Sequence, residues 1–407
     1  MAGPLQGIVV LDLSRILAGP WATQLLADYG AEVLKVEHPQ GGDDTRKWGP
    51  PYLKDAEGGD TRESAYYLSA NRGKRSLAID FSQPEGQALI RRLATQADVL
   101  VENFKVGGLA RYGLGYDELS ALNPRLVYLS ISAFGQDGPD AAKPGYDAMV
   151  QGMGGLMSIT GLPDGEPGAG PQKVGVAVAD LMCGMYAVSA ILAALYERDR
   201  SGRGQYIDLA LLDTQVAWLA NQNLNYLVSG QPPRRQGTAH PNIVPYQCFQ
   251  TADGYLMLAV GNDGQFARFC AAAGAPGLAS DPRYATNTDR VAHRAELVPI
   301  VEALVRERTT REWMDALEVA QVPCGPINDL SQVFADPQVL HRGMVATLAH
   351  PAAGDMRTVA NPVRFSAAQS RSTMPPPRLG EHTDEVLGQV AGLSASDLAA
   401  LRARGVI

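Results

Sequence analysis

Asp180 interrupts a long stretch of apolar and small residues, Lys173-Val174-Gly175-Val176-Ala177-Val178-Ala179-Asp180-Leu181-Met182-Cys183-Gly184-Met185-Tyr186-Ala187. Apolar and small residues continue to Leu195-Tyr196, before the charged stop Glu197-Arg198-Asp199-Arg200-Ser201-Gly202. Burying a carboxylate costs on the order of several kcal/mol unless partners or a helix N-terminus offset it. Two readings fit. Asp180 caps a helix, accepting hydrogen bonds from free N–H groups, or it is a reactive carboxylate in a small-residue pocket. Asn103-Phe104-Lys105 leaves the C-terminal end of a strand, where open α/β sheets bind ligands. It reads either as a base-stacking or phosphate contact or as a plain loop. Arg72, Lys74 and Arg75 form the densest basic cluster, suited to phosphates or to a solvated loop.

Other chemistries lack their residues. The turn Ser14-Arg15-Ile16-Leu17-Ala18-Gly19-Pro20, with Glu37 closing the next strand, superficially suggests a dinucleotide unit. It carries no G-x-G-x-x-G, so a nicotinamide site is not expected. There is no phosphate-binding G-x-x-x-x-G-K-[ST] loop, no G-x-S-x-G elbow and no H-E-x-x-H. The six histidines show no ligand spacing and the four cysteines no C-x-x-C, so neither a metal site nor a disulfide frame is expected. That cysteine usage suits a reducing compartment.

Elements must bring such residues together. Strand-like runs at Gly7–Leu13, Glu32–Glu37, Ser76–Asp80, Asp98–Asn103 and Leu126–Ile131 alternate with helical ones at Ala22–Tyr29 and Pro84–Gln96. That alternation predicts an α/β fold on a mainly parallel sheet. Gly19-Pro20 reads as a break. Residues 133–172 are dense in Gly and Pro and read as a functional loop. A helical stretch is expected over Leu209–Tyr226, then a linker Gly230–Arg235 and a hairpin over Tyr246–Val260. Helices follow at Asp263–Gly274, Asn287–Arg308 and Thr310–Gln321, making a small α+β domain, and Ser394–Gly405 is a terminal helix. The chain has 407 residues, 45% hydrophobic and 19% charged, enough for a large core in more than one domain. A net charge of −8 argues against nucleic acid or an anionic membrane as main partner. No leader-like start or uninterrupted run of about twenty apolar residues stands out, so a soluble, cytoplasmic protein is expected.

Eight short motifs in order resemble the family III CoA-transferases, the formyl-CoA transferase and acyl-CoA racemase superfamily, over Leu5 to Ile407. They are Gly7-Ile8-Val9-Val10-Leu11-Asp12, Leu17-Ala18-Gly19-Pro20, Gly30-Ala31-Glu32-Val33-Leu34-Lys35-Val36-Glu37, Asn71-Arg72-Gly73-Lys74-Arg75-Ser76, Val101-Glu102-Asn103-Phe104, Pro144-Gly145-Tyr146-Asp147, Val176-Ala177-Val178-Ala179-Asp180 and Leu379-Gly380-Glu381-His382-Thr383. Within the family the chain is similar to the succinyl-CoA:glutarate branch. That similarity lies in Gly42-Asp43-Asp44-Thr45-Arg46, Trp48-Gly49-Pro50-Pro51, Gly237-Thr238-Ala239-His240, Ile243-Val244-Pro245-Tyr246-Gln247 and Phe334-Ala335-Asp336-Pro337-Gln338-Val339-Leu340-His341.

The resemblance implies that Asp180 is the nucleophile, forming a mixed anhydride and then an aspartyl-CoA thioester. It implies CoA contacts at Leu17, Ala18, His38, Ile79, Asp80, Phe81, Ser82, Asn103, Phe104, Lys105, Arg111, Gly145 and Tyr146. It further implies a Rossmann-like large domain (1–224), a small α+β domain (225–329), a C-terminal segment (330–407) returning to the large domain, and an interlocked homodimer. Acyl-CoA and a small carboxylic acid are the expected partners, succinyl-CoA the donor, with no tightly bound cofactor. His38 stands where formyl-CoA transferases carry arginine, and the glycine-rich lid of the oxalate-using branch is missing. Tyr146 stands where racemases carry their histidine base; with a reference pKa of ~10, tyrosine is a poor proton shuttle near pH 7. Racemisation and a non-catalytic acyl-CoA-binding role are the alternatives. A dicarboxylate acceptor needs a cation or donor array for its distal carboxylate; Arg15, Arg46 and His240 are the candidates, arginine favoured for its bidentate fork.

Overall fold

The structure, a computed structural model, describes residues 2–407. The chain divides into two compact units: Met1–Leu156 with Val174–Leu224 and Pro337–Ile407, and Met157–Lys173 with Asn225–Asp336. The second unit takes in Met157–Lys173, which the sequence reading leaves in the large domain, and it runs on to Asp336.

In chain order the first unit begins with β1 (Val9–Asp12), α1 (Ala18–Asp28), β2 (Glu32–Glu37), a hairpin of β3 (Tyr52–Lys54) and β4 (Asp60–Ser64), and α2 (Ala65–Ser69). It continues through β5 (Lys74–Ala78), α3 (Pro84–Ala94), β6 (Val99–Glu102), α4 (Tyr116–Leu122), β7 (Val127–Ser132) and α5 (Asp147–Met153). After a short α6 (Leu156–Ile159) and the excursion into the second unit come α7 (Val178–Ser201), β8 (Tyr206–Ala210) and α8 (Leu211–Trp218).

Six strands pair in the order β5-β2-β1-β6-β7-β8, all parallel. Successive side chains of a strand point to opposite faces, so each strand feeds two cores. Leu11, Leu34, Leu77 and Leu100 pack with Leu89, Ile90 and Leu93 of α3 and with Val386, Leu387, Leu401 and Val406 of the C-terminal segment. Val10, Val33, Val99 and Val127 pack on the other face with Leu25 and Leu26 of α1 and Cys183 and Ile191 of α7. Covering both faces is what makes a parallel sheet viable. The strand order reverses between β1 and β6, the crevice position where doubly wound sheets bind ligands.

Three expectations change. Gly19-Pro20 is no break: both lie in the first turn of α1, where a missing N–H costs nothing. Gly19 is required there, because a Cβ would meet the Ser14 side chain at 2.3 Å. The expected helix over Leu209–Tyr226 is instead strand β8 running directly into α8, then a second helix Asn221–Ser229 beyond the positive φ of Ala220. Finally, α7 is the one helix among the described residues long and apolar enough to cross a membrane. Its stripe Ala179, Cys183, Ala187, Ile191 and Ala194 is nonetheless buried in the core.

The second unit carries the antiparallel sheet β11-β10-β9, from β9 (Tyr246–Gln250), β10 (Tyr255–Ala259) and β11 (Cys324–Pro326). Its core joins Phe249 and Leu258 to Phe266, Phe269, Leu297 and Trp313 of the helices. The expected helix over Asn287–Arg308 is two, Asn287–Ala292 and Arg294–Val305, broken at His293.

Candidate active site

The loop after β1 is held in a form its sequence would not adopt alone. Ile16 has a φ of 71°, a conformation that a β-branched residue rarely takes. Its neighbours over-determine it. Asn103 clamps Arg15 from both sides, accepting from the Arg15 N–H at 2.8 Å and donating to its carbonyl at 2.7 Å. Asp43 accepts from the Ile16 N–H at 3.2 Å. The Asp12 carboxylate takes the Ser14 hydroxyl at 2.5 Å and the Thr23 hydroxyl at 2.6 Å. Buried Lys35 bridges Asp43 (3.0 Å) and the Ser14 carbonyl (3.1 Å). These bonds fix the turn at the sheet's switch point, so that Arg15, Ile16, Leu17 and Ala18 line a cavity of about 200 Å³. Lys74 and hydrogen bonds hold Asp12 at about 2 against its burial, keeping the charge on which the turn rests.

Asp180 lines the same cavity, partly exposed, from the first turn of α7. The N-cap reading is corrected: Ala177 is the N-cap, with a methyl group that makes no capping hydrogen bond, while Asp180 sits three residues further on. The free Ala179 N–H is taken by Asp147 of α5, at 2.8 Å. Burial, and then the charge of Asp147, push the Asp180 carboxyl up to about 7. A helix N-terminus works in the opposite direction, and here burial and like charge prevail. Burial and the charges of Asp180 and Asp147 push the Tyr66 phenol up to about 12.

The sequence-derived contacts separate into three groups. Leu17, Ala18, Asn103, Phe104, Lys105, Gly145, Tyr146 and Arg15 line the cavity with Asp180. His38, Ile79, Asp80, Phe81 and Ser82 line a second cavity of about 160 Å³ at the ends of β2 and β5. Arg15 and Phe104 belong to both walls. The Arg15 guanidinium lies 5.1 Å from the Phe104 ring centroid, and the Phe104 ring meets Phe81 edge-on at 5.7 Å. The two cavities thus follow one line along the C-terminal edge of the sheet.

The third group is placed elsewhere. Arg111 is exposed and spends its guanidinium on Tyr112, stacked at 4.5 Å with a 2.8 Å bond to the hydroxyl. Arg46 is buried and fully engaged: Glu37 at 2.7 and 2.9 Å, Glu63 at 2.8 Å, the Tyr67 hydroxyl at 2.6 Å and the Pro377 carbonyl at 3.0 Å. That set commits all three guanidinium nitrogens to buried acceptors and corrects the expected role of Arg46 toward the acceptor acid. His240 belongs to the second unit, where its ring faces Tyr246 at 5.3 Å and its Nδ1 accepts from the Asn242 N–H. The basic cluster proves structural: Arg72 pairs with Asp28, buried Lys74 with Asp12, and Arg75 with Glu32 and Glu385.

Sequence reasoning missed Asp44, Ser132 and Lys143 on the cavity wall, and the link from Asp147 to the helix of Asp180. Ser132 ends β7, so the rule that sheets bind at strand C-termini would have flagged it. Asp44 opens a single 3₁₀ turn, Asp44–Lys47, and Lys143 lies in a loop, neither with such a signal.

A family model described as CoA-transferase family III matches residues 5–383. The succinate–glutarate CoA-transferase of Agrobacterium fabrum is 54% identical over 95% of this chain and 96% of its own. The succinyl-CoA:glutarate CoA-transferase of Homo sapiens is 43% identical over 99% of this chain and 90% of its own. A crystal structure of a CaiB/BaiF family protein from Brucella suis superposes with a TM-score of 0.84 at 48% identity, covering 96% of this chain and all of that one.

Proposed function

The chain belongs to CoA-transferase family III, and we propose that it moves CoA from succinyl-CoA to a small dicarboxylate, glutarate foremost, with Asp180 as nucleophile. One observation supports this reading: a largely buried carboxylate opens onto a cavity built by the loops at the sheet's switch point. The Asp180 oxygen attacks the donor thioester carbonyl, expelling CoA thiolate and leaving a mixed anhydride. The thiolate attacks the aspartyl carbonyl, releasing succinate and forming an aspartyl-CoA thioester. The acceptor carboxylate attacks that thioester and expels the thiolate again. The thiolate takes the acceptor's acyl group and frees the Asp180 carboxylate. Each step trades one acyl–oxygen or acyl–sulfur bond for another, the case for covalent catalysis.

The cavity beside Asp180 suits the thioester end of CoA, and the one lined by His38, Ile79 and Phe81 suits its nucleotide end, with the Phe81–Phe104 pair between them. Lys105 and Lys143 supply cations on the wall nearer Asp180. CoA and its thioesters are substrates in this scheme, with no tightly held cofactor. Arg15, half-exposed and, among the described residues, ion-paired only with exposed Asp44 at 3.3 Å, is a cation placed to meet the acceptor's distal carboxylate. Tyr146 on the wall disfavours racemisation.

The test is turnover of succinyl-CoA with glutarate by Asp180→Asn and Asp180→Ala. Both are expected to lose on the order of a thousandfold or more in kcat while still binding CoA. In the wild type, kcat/KM is expected to rise with pH through about 7, as Asp180 gives up its proton. Turnover by either variant within tenfold of wild type would remove Asp180 from the chemistry.

A further inference from the structure

We propose that Asp147 is a positioning residue for Asp180: it caps the first turn of α7 in place of the N-cap side chain and sets a second carboxylate beside the nucleophile. This rests on the reading of Asp180 as nucleophile. In a capping box the N-cap Ser or Thr side chain takes an N–H of the first turn, while the acid three residues on folds back to the N-cap N–H. Ala177 has only a methyl group and cannot take such a donor. One first-turn donor, the Ala179 N–H, is satisfied instead by Asp147 Oδ1 at 2.8 Å. The other oxygen, Oδ2, accepts from Gln151 Nε2 at 2.6 Å, one turn along α5. Gln151 Oε1 in turn accepts from the Val174 N–H at 2.9 Å, on the segment leading into α7. Asp147 and Gln151 therefore fasten both the approach to α7 and its first turn, and the Asp180 carboxylate is left to face the cavity.

The charge of Asp147 acts on the chemistry as well as the geometry. A like charge disfavours the Asp180 carboxylate but not the neutral anhydride or thioester made from it. Acylation relieves that repulsion, so the ground state is raised relative to the acyl-enzyme. Burial adds to the effect. The other groups facing Asp180 are Tyr66 from α2 and Cys183 along α7, both pushed up in pKa partly by its charge. Around the shared cavity stand Arg15, Asp44, Lys105, Lys143 and Tyr146. Among all of these, only Asp147 both bonds the backbone of α7's first turn and bears on Asp180 by charge.

Asp147→Asn keeps an oxygen for the Ala179 N–H, removes the charge and replaces the oxygen that accepts from Gln151 by an NH2 group; Asp147→Glu keeps the charge and changes the reach. Asp180 is followed directly by ¹³C-aspartate NMR of the full chain, its signal assigned by its absence in Asp180→Asn. The Asp180 titration is expected to fall by about half a unit or more in Asp147→Asn, raising the relative kcat/KM at pH 5.5 about threefold. The kcat plateau at alkaline pH is expected to drop, while KM for succinyl-CoA stays within twofold. Asp147→Glu is expected to retain the wild-type titration. An unchanged Asp180 titration in Asp147→Asn would overturn the proposal, and so would a fall of the same size in Asp147→Glu. The NMR readout needs no turnover, so a titration shift in Asp147→Asn alongside full activity of Asp180→Asn would sink the nucleophile instead.

Discussion

Arg15 follows β1 and Arg46 follows β2, two adjacent parallel strands, yet their surroundings assign them opposite work. Every nitrogen of Arg46 is matched to a buried acceptor, and it holds Glu37 and Glu63 beneath the surface. Removing one member of such a buried set leaves charges without compensation and costs about 3–5 kcal/mol. Among the described residues Arg15 has a single ion-pair partner, and both are well solvated, so its removal costs little stability. Arg15→Ala is accordingly expected to raise KM for glutarate about tenfold while barely moving KM for a monocarboxylate of equal length. Arg46→Ala is expected to lower the melting temperature and to affect both acids alike. Melting curves with KM for the paired acids check this, and equal KM changes in Arg15→Ala would return that residue to a structural role. Sequence could not separate the two arginines. Both precede or follow acids at short range, and the burial that distinguishes them comes from Tyr67 and Pro377, far along the chain.

Elements were legible where apolar runs are bounded by punctuation. The strands from Val9 to Ser132 in the main sheet stand between Gly, Pro and Asp signals and were all foreseen. Strand β8 was not, because Ala210 passes into Leu211 with no turn residue between strand and helix. The β3–β4 hairpin escaped because its strands are short and largely polar. Helix α7 was visible as a long apolar stretch, but its outward face poses a further question. Met185, Tyr186, Leu192 and Tyr196 recur at helical spacing and are 46%, 39%, 36% and 65% exposed. Tyr146, Met149 and Met153 around α5 are exposed as well. Apolar surface of that extent marks an interaction site, and we propose a second copy of the chain as its cover, in line with the interlocked homodimer that the family resemblance implies. Light scattering is expected to give twice the 43.3 kDa of one chain. A mass of one chain at micromolar concentration would refute it.

Across the whole molecule, the parallel sheet supplies the site and the two cores fix the sheet. The reversal of strand order between β1 and β6 opens the crevice, and the strained turn at Ile16 and the loop at Asn103 close around it. The ordered motifs made that plan readable in the sequence, and Asp180 was singled out because a lone acid in a small-residue run demands a reason. The answer to that demand was not readable. The donor at the start of α7 is satisfied from α5, on a segment separated from it by the excursion through the second unit, and no local pattern announces the pairing. If acyl groups pass through the Asp180 carboxylate, carboxylate oxygen must pass through it too, and isotope transfer reads this out. Glutarate carrying ¹⁸O in its carboxylates is turned over with succinyl-CoA, and the peptide containing Asp180 is weighed by mass spectrometry. One acceptor oxygen is expected to stay in Asp180 at each turnover, because the thiolate's last attack leaves the bridging oxygen on the enzyme. An unlabelled Asp180 after many turnovers would contradict it.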